Sequence, residues 1–268
     1  AILVGKNNVL QKEFKKNSVE IIDVINTRKS FLAIIAKQLR IHQWSKNILV
    51  FVPAIAGHSL FEEGIFFEIF LAFCTFCLIS SGIYIINDIH DIDSDRKHPI
   101  NKDRPITSGQ LPVNLALFIS MIMFIIGVML TLRSGFLFSI VISSYILLNI
   151  IYTRYIKQVI ILDLILLMIF YTIRLLAGYV PLELPLSPWL LSFSIFLFFS
   201  LGLLKRYIET ILLRENNVVT ISGRGYSIND SNILMTMGVS SSLVAGLVLL
   251  LYTSSENVTL LYNRPIIL

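Results

Sequence analysis

Seven stretches of this chain are long, apolar and nearly free of Asp, Glu, Lys and Arg, and they leave few other ways to fold. They cover residues 47–61, 65–86, 113–132, 135–151, 159–182, 187–204 and 232–253, and a further stub begins near Arg264. A helix needs about 20 mostly apolar residues to cross the hydrocarbon core of a bilayer, and within it a helix satisfies its own backbone. The pattern predicts an all-α, multi-pass transmembrane bundle of seven spans plus the start of an eighth. Composition agrees: 55% of the 268 residues are hydrophobic and only 15% charged, more apolar than a soluble core of this size requires.

The basic residues set an orientation, because Lys and Arg in short loops are retained in the cytoplasm. Nine precede Asn47, four lie between Arg96 and Arg104, two are Arg154 and Lys157, and four lie between Lys205 and Arg224. All fall on one side of alternating spans. The opposite loops carry Arg133 and Arg264, and Arg174 lies inside a span. The N-terminus and the charged loops are therefore expected to be cytoplasmic. This asymmetry accounts for the net charge of +5, so no nucleic-acid partner is expected, whereas lipid phosphates and phosphorylated substrates are. Cys74 and Cys77 form a C-x-x-C in mid-span, where a soluble redox partner has no access, and read as small apolar fillers.

Residues 1–38 read as a cytoplasmic lead-in without a signal-peptide pattern. It ends in an interfacial segment where Phe31, Leu32, Ile35, Leu39 and Ile41 alternate with Lys37, Arg40 and His42. Residues 39–268 form the membrane domain.

The second span leads directly into "NDIHDIDSDRKHPINKDRP", with five acidic and four basic side chains between Asn87 and Pro105. If the helix continues past Ile86, Asn87, Asp91 and Asp95 recur every four residues, and Asp88 joins Asp91 and Asp95 at spacings of three and four. Carboxylates crowded on one face repel unless a cation sits among them, and hard oxygen ligands beside a phosphate-bearing substrate point to Mg²⁺. Asp93 lies off that face and reads as solvated. Downstream, Arg104 offers a planar fork to phosphate, and Gly109 permits a turn.

The fifth span holds Asp163 near its cytoplasmic end and Arg174 eleven residues on. Three helical turns, about 16 Å, separate them, so each needs another partner. Lys157, Asn149 and a bound anion are the candidates. An ionised residue as deep as Arg174 marks a functional site by default. Two further polar clusters, "HQWSKN" with Lys46 and "KRYIE" with Lys205 and Arg206, lie in the same layer and fit either interfacial anchoring or an anion site.

These residues resemble a known family. "NDIHDIDSDRKHPINKDRPITSG" is similar to the first Asp-rich motif of the UbiA superfamily of intramembrane prenyltransferases. The resemblance implies a bundle of nine transmembrane helices whose last members lie beyond this chain. It also implies a bacterial-type cell membrane and a cavity that opens to the cytoplasm. In that family the motif binds Mg²⁺ and a diphosphate, which assigns Asn87, Asp88, Asp91 and Asp95 to the metal, with Asp88, Asp91 and Asp95 as the catalytic carboxylates. The chain departs from the usual pattern in lacking a second Asp-rich motif: Asp163 stands alone, with Val159 and Leu167 at the positions four residues either side.

That segment, with "LRIHQWSKN", "IRLLAGY" and "LGLLKRYIE", looks like the branch containing decaprenyl-phosphate phosphoribosyltransferase. This likeness implies transfer of 5-phosphoribosyl from phosphoribosyl diphosphate (PRPP) to a polyprenyl phosphate, with release of diphosphate. The substrate-binding candidates are then Lys46, Asn87, Arg104, Tyr152, Lys157, Asp163, Arg174, Lys205 and Arg206. A lipid phosphate is acidic enough to attack without a strong general base, in keeping with His90 and His98 as mere flanking residues. The alternative keeps the Mg²⁺–diphosphate chemistry but moves a prenyl chain from a prenyl diphosphate to an aromatic or other acceptor. A transporter of phosphorylated metabolites, the third reading, predicts inverted repeats and charges at the bilayer midplane. Arg174 alone meets that description.

Overall fold

In the computed structural model, which describes residues 2–4, 23–25, 30–97, 101–182, 186–215 and 225–255, the apolar runs fold as helices, as expected. Ahead of them, β1 (Ile2–Val4) and β2 (Asp23–Ile25) form a short parallel pair. The bundle is built from α1 (Phe31–Gln38), a 3-10 helix (Ile41–Phe51), α2 (Val52–Ala56), α3 (Ile65–His90) and α4 (Ile92–Lys97). It continues with α5 (Val113–Arg133), α6 (Phe136–Ile151), α7 (Leu162–Tyr179), α8 (Pro188–Glu215) and α9 (Ser231–Thr253).

Six segments among the described residues are long and apolar enough to span a bilayer: Ile65–His90, Val113–Arg133, Phe136–Ile156, Leu162–Leu182, Pro188–Leu212 and Ile228–Thr253. The first apolar run, expected as a seventh span, is not a helix of that length. Pro53 sits in the first turn of the five-residue α2, where its missing N–H does no harm, and Gly57 caps it. The amphipathic segment expected over residues 29–43 is also shorter, since α1 ends at Gln38 and Arg40 takes a left-handed conformation with φ 53° and ψ 45°. The stub near Arg264 lies outside the described residues.

Two helices are central. The apolar stretches of α3 and α7 are 61% and 50% buried within the protein, against 17–22% for those of the other four spans. The remaining surfaces of α5, α6 and α9 present Phe118, Met129, Leu137 and Leu250 outward, as lipid-facing helices do. Ile69, Phe76, Phe138, Tyr145, Phe170 and Ile173 form the main core between α3, α6 and α7. A second core at the charged end joins Leu39, Ile85, Ile106, Leu111 and Ala116. Both central helices deliver polar residues to that end.

The 3-10 helix explains how the first run contributes. At three residues per turn, Asn47, Val50 and Pro53 share one face, and all three are buried. That face packs on α7, where Gly178 approaches so closely that an added Cβ would stand 2.0 Å from the Val50 carbonyl oxygen and 3.1 Å from Pro53 Cδ. Arg174, one turn earlier on α7, meets Asn47 on the same seam. Glycine is required at 178 for backbone contact. Gly178→Ala should therefore destabilise the chain by about 1–3 kcal/mol, the usual range for overpacking. Gly246→Ala on α9, which meets open space, should be neutral in the same thermal-unfolding measurement in detergent.

Candidate active site

The Asp-rich stretch is helical almost throughout. α3 runs to His90, Asp91 departs from it with φ −92° and ψ 8°, and α4 resumes at Ile92. Backbone hydrogen bonds from Asp91 N–H to the Asn87 carbonyl (2.9 Å) and from Asp95 N–H to the Asp91 carbonyl (2.8 Å) carry the helical register across the break. The expected face is thus formed, with Asp88 and Asp95 buried, Asn87 and Asp91 half-buried, and Asp93 solvated at 98% side-chain exposure.

Each carboxylate of that face meets a cation. Arg104 Nη1 donates to both Asp88 Oδ1 (3.0 Å) and Asp95 Oδ2 (2.5 Å). Asp88 also accepts from Arg40 Nη2 (2.5 Å) and Gln38 Nε2 (2.9 Å), and Asp95 accepts from Asn101 Nδ2 (2.8 Å). Lys157 Nζ stands 3.5 Å from Asp91 Oδ2. Arg40 reaches Asp88 from its left-handed backbone position while its guanidinium lies 4.9 Å from the centre of the Tyr84 ring. A non-glycine residue held in that conformation is a mark of functional sites.

The same geometry tests the expected metal. Among the described residues no three carboxylate, imidazole or thiol side chains converge into a protein-only cage. Mg²⁺ rarely uses one: it takes one or two carboxylates and completes its octahedron with water and substrate phosphates. Asp88 and Asp95 converge on a single cationic nitrogen, so the pair fits that mode, with the Arg104 Nη1 atom standing where a cation belongs.

A second basic group lies deeper. Arg174, 4% exposed, donates through Nε to Asn47 Oδ1 (2.8 Å), through Nη2 to Tyr145 Oη (3.1 Å) and through Nη1 to the Phe170 carbonyl. Its guanidinium lies 5.1 Å from the ring centre of Tyr145. No carboxylate is within ion-pair distance of it among the described residues. Asn47 in turn donates to Cys77 Sγ at 3.3 Å, and both cysteines are free. Lys46 stands just ahead of the first apolar run and outside the six spans. Burial first, and then the charges of Lys205, Arg174 and Arg40, lower its pKa from 10.5 to about 8. Among the described residues Lys46, Lys205 and Arg174 form no ion pair with a carboxylate, and the charges of Lys205, Arg174 and Arg40 act on Lys46, a balance that favours an anion there.

Asp163 and Arg206 are placed differently from expectation. They are 0% and 1% exposed and bond each other, Arg206 Nε to Asp163 Oδ2, at 3.0 Å. Tyr226 Oη donates to Asp163 Oδ1 (2.5 Å), and Arg206 Nη1 to Glu209 Oε2 (2.8 Å). Of the two side chains considered as partners for Asp163 and Arg174, Asn149 donates to the Tyr145 carbonyl and Lys157 faces Asp91. Tyr152 packs edge-on against Phe170, and Lys205 is exposed. Sequence reasoning missed Gln38, Arg40, Asn47, Tyr145 and Tyr226. Arg40 and Asn47 lie within the "LRIHQWSKN" stretch already singled out, whereas nothing local distinguishes Tyr145 or Tyr226.

With this geometry in place, comparison with known proteins is decisive on family: the sequence model of the UbiA prenyltransferase family matches residues 50–254. The chain belongs to the UbiA prenyltransferase family. It is an integral membrane protein, as the six apolar helices require. It is similar to the uncharacterized protein y4nM of Sinorhizobium fredii, 33% identical over 99% of this chain and 52% of that protein. Nodulation protein NoeC of Azorhizobium caulinodans is 34% identical over 82% of this chain and 71% of that protein. Decaprenyl-phosphate phosphoribosyltransferase of Corynebacterium glutamicum is 37% identical over 67% of this chain and 55% of that enzyme. The chain thus spans about half the length of two of these relatives. Among solved structures, a UbiA homolog from Archaeoglobus fulgidus bound to GPP and Mg²⁺ shares the fold, with a TM-score of 0.67 at 12% identity over 82% of this chain and 77% of that one.

Lys46 gives this UbiA-family site a pH signature. Its lowered pKa means that the folded protein disfavours the ammonium form, whereas a bound anion favours it. Binding therefore takes up a proton once the free lysine has begun to lose its own, above about pH 8. Affinity for inorganic pyrophosphate should fall as pH rises through 8 to 10, and Lys46→Arg, charged throughout, should flatten that fall when titrated by calorimetry.

Proposed function

We propose that the chain is a Mg²⁺-dependent transferase that moves 5-phosphoribosyl from PRPP to a polyprenyl phosphate and releases diphosphate. The observation that carries this reading is the pair of basic groups, one interleaved with the Asp face and one around Lys46, Arg174 and Lys205. PRPP brings a diphosphate and a separate 5-phosphate, and the acceptor brings a third phosphate. A prenyl diphosphate with an aromatic acceptor needs only the first group. The loss of Asp163 to a buried pair with Arg206 also supports it, since that lone carboxylate is not offered to a second metal–diphosphate. The likeness to decaprenyl-phosphate phosphoribosyltransferase of Corynebacterium glutamicum supports the same reading.

In this reading Asp88 and Asp95 would hold Mg²⁺, with Asn87 and Asp91 beside them. When bound there, the metal would supply Lewis acidity toward the diphosphate. Arg104, Arg40 and Lys157 exchange their carboxylate partners for phosphate oxygens and absorb the charge that grows as the bond from the anomeric carbon to the diphosphate breaks. Lys46, Lys205 and Arg174 hold the remaining phosphates. A lipid phosphate oxygen then forms the new bond to the anomeric carbon, and no protein base is needed because that oxygen is already ionised. His90, exposed at the end of α3, is assigned no role in this reading. By the positive-inside rule the basic loops favour a cytoplasmic lip in this reading, and the apolar helices would seat the prenyl tail.

Membranes containing the chain, incubated with Mg²⁺, PRPP labelled in the ribose and polyprenyl phosphate, should transfer label into lipid. Asp91→Ala and Asp88→Ala should each reduce transfer by about 100-fold, as removal of a group aimed at the transition state does. Label that stays out of lipid, with prenyl transfer to an aromatic acid in its place, would refute this choice of donor.

A further inference from the structure

Lys157 stands on a turn whose backbone is far from relaxed. α6 ends in a π-turn, Tyr152–Ile156, closed by Lys157 N–H on the Tyr152 carbonyl at 3.0 Å. Such turns inside helices recur at functional sites. A few residues on, Leu162 N–H bonds the Ile160 carbonyl at 2.8 Å and makes a γ-turn centred on Ile161, with φ 68° and ψ −43°. That hand of γ-turn is rare and strained, and a β-branched residue at positive φ is a true outlier. Something must hold it.

The structure supplies the restraint from the other end of the chain. Ile161 N–H donates to Tyr226 Oη at 2.8 Å, and the same hydroxyl donates to Asp163 Oδ1 at 2.5 Å. Asp163 is fixed in turn by Arg206 on α8. Gly225 presses on the same turn, since an added Cβ there would stand 2.4 Å from the Gln158 carbonyl oxygen. Tyr226 is 1% exposed, and its burial, with the Asp163 hydrogen bond, holds the phenol well above its ordinary pKa, so it remains a donor. Lys157, at the far end of this turn, faces Asp91.

We propose that Tyr226 is a positioning residue: by accepting from Ile161 and donating to Asp163 it holds the strained turn that sets Lys157 against Asp91. Asp163 and Arg206 then serve the site through this clamp. The idea rests on the diphosphate reading above only for its catalytic consequence, because the placement of Lys157 is measurable without substrate.

The test uses the whole chain in lipid nanodiscs with Cys74 and Cys77 replaced by alanine and cysteines introduced by Asp91→Cys and Lys157→Cys. Tyr226→Phe should slow cross-linking of that pair by a short bismaleimide about three- to tenfold, the factor expected for losing one or two hydrogen bonds. Adding Ile161→Gly should restore most of the rate, because glycine adopts positive φ without strain. Gly225→Ala is the second variant and should slow the reaction likewise. An unchanged rate in folded Tyr226→Phe or Gly225→Ala protein would overturn the proposal and leave the clamp a purely structural tie. In the chain without introduced cysteines, Tyr226→Phe should weaken binding of Mg²⁺–pyrophosphate, and should have no further effect once Lys157→Met is present. If the unaltered chain binds no pyrophosphate while cross-linking responds as stated, the diphosphate reading fails and the positioning role stands.

Discussion

A charged carboxylate at the end of an apolar helix must be matched, and the Asp88–Arg104–Asp95 bridge is where this protein meets that requirement. An ion left unpaired in such surroundings costs several kcal/mol, so every element near the charged end is arranged to bring a partner. Arg104 comes from the loop after α4, Arg40 and Gln38 from the chain before the 3-10 helix, and Lys157 from the turn after α6. The packing that closes this end, Leu39 with Ile85, Ile106 and Leu111, follows the same convergence.

The match is one that a ligand can exchange. A guanidinium held between two carboxylates has a close substitute in a divalent metal, and a guanidinium so released finds a close substitute for carboxylate in a phosphate. Metal and diphosphate together can therefore enter without leaving a buried charge unmatched. Asp163 and Arg206 form the opposite case. Fully enclosed and tied to Tyr226 and Glu209, they make a fixed point beside an exchangeable one. The charged end of the bundle holds both.

Much of this was legible in the sequence because it depends on local spacing. The apolar runs became helices, and Asn87, Asp88, Asp91 and Asp95 form one face because three- and four-residue intervals do so on any helix. The family resemblance rested on that same stretch and was upheld. What failed depended on contacts across the chain. The run over residues 47–61 was apolar enough to be read as a span, but Pro53 and Gly57 divide it. Arg206 and Tyr226 lie 43 and 63 residues from Asp163, and no periodicity reveals such partners. Arg174 was rightly read as unable to reach Asp163, yet its actual partners, Asn47 and Tyr145, come from two other segments.

On the proposed reading, the cations now bound to the Asp face are the ones that receive phosphate. A structure of the chain in nanodiscs with Mg²⁺ and PRPP tests it most directly. The expected result is Mg²⁺ between Asp88 and Asp95, Arg104 turned onto the diphosphate, and a second phosphate against Lys46 and Arg174. PRPP bound elsewhere, with the Asp88–Arg104–Asp95 bridge intact, would contradict it.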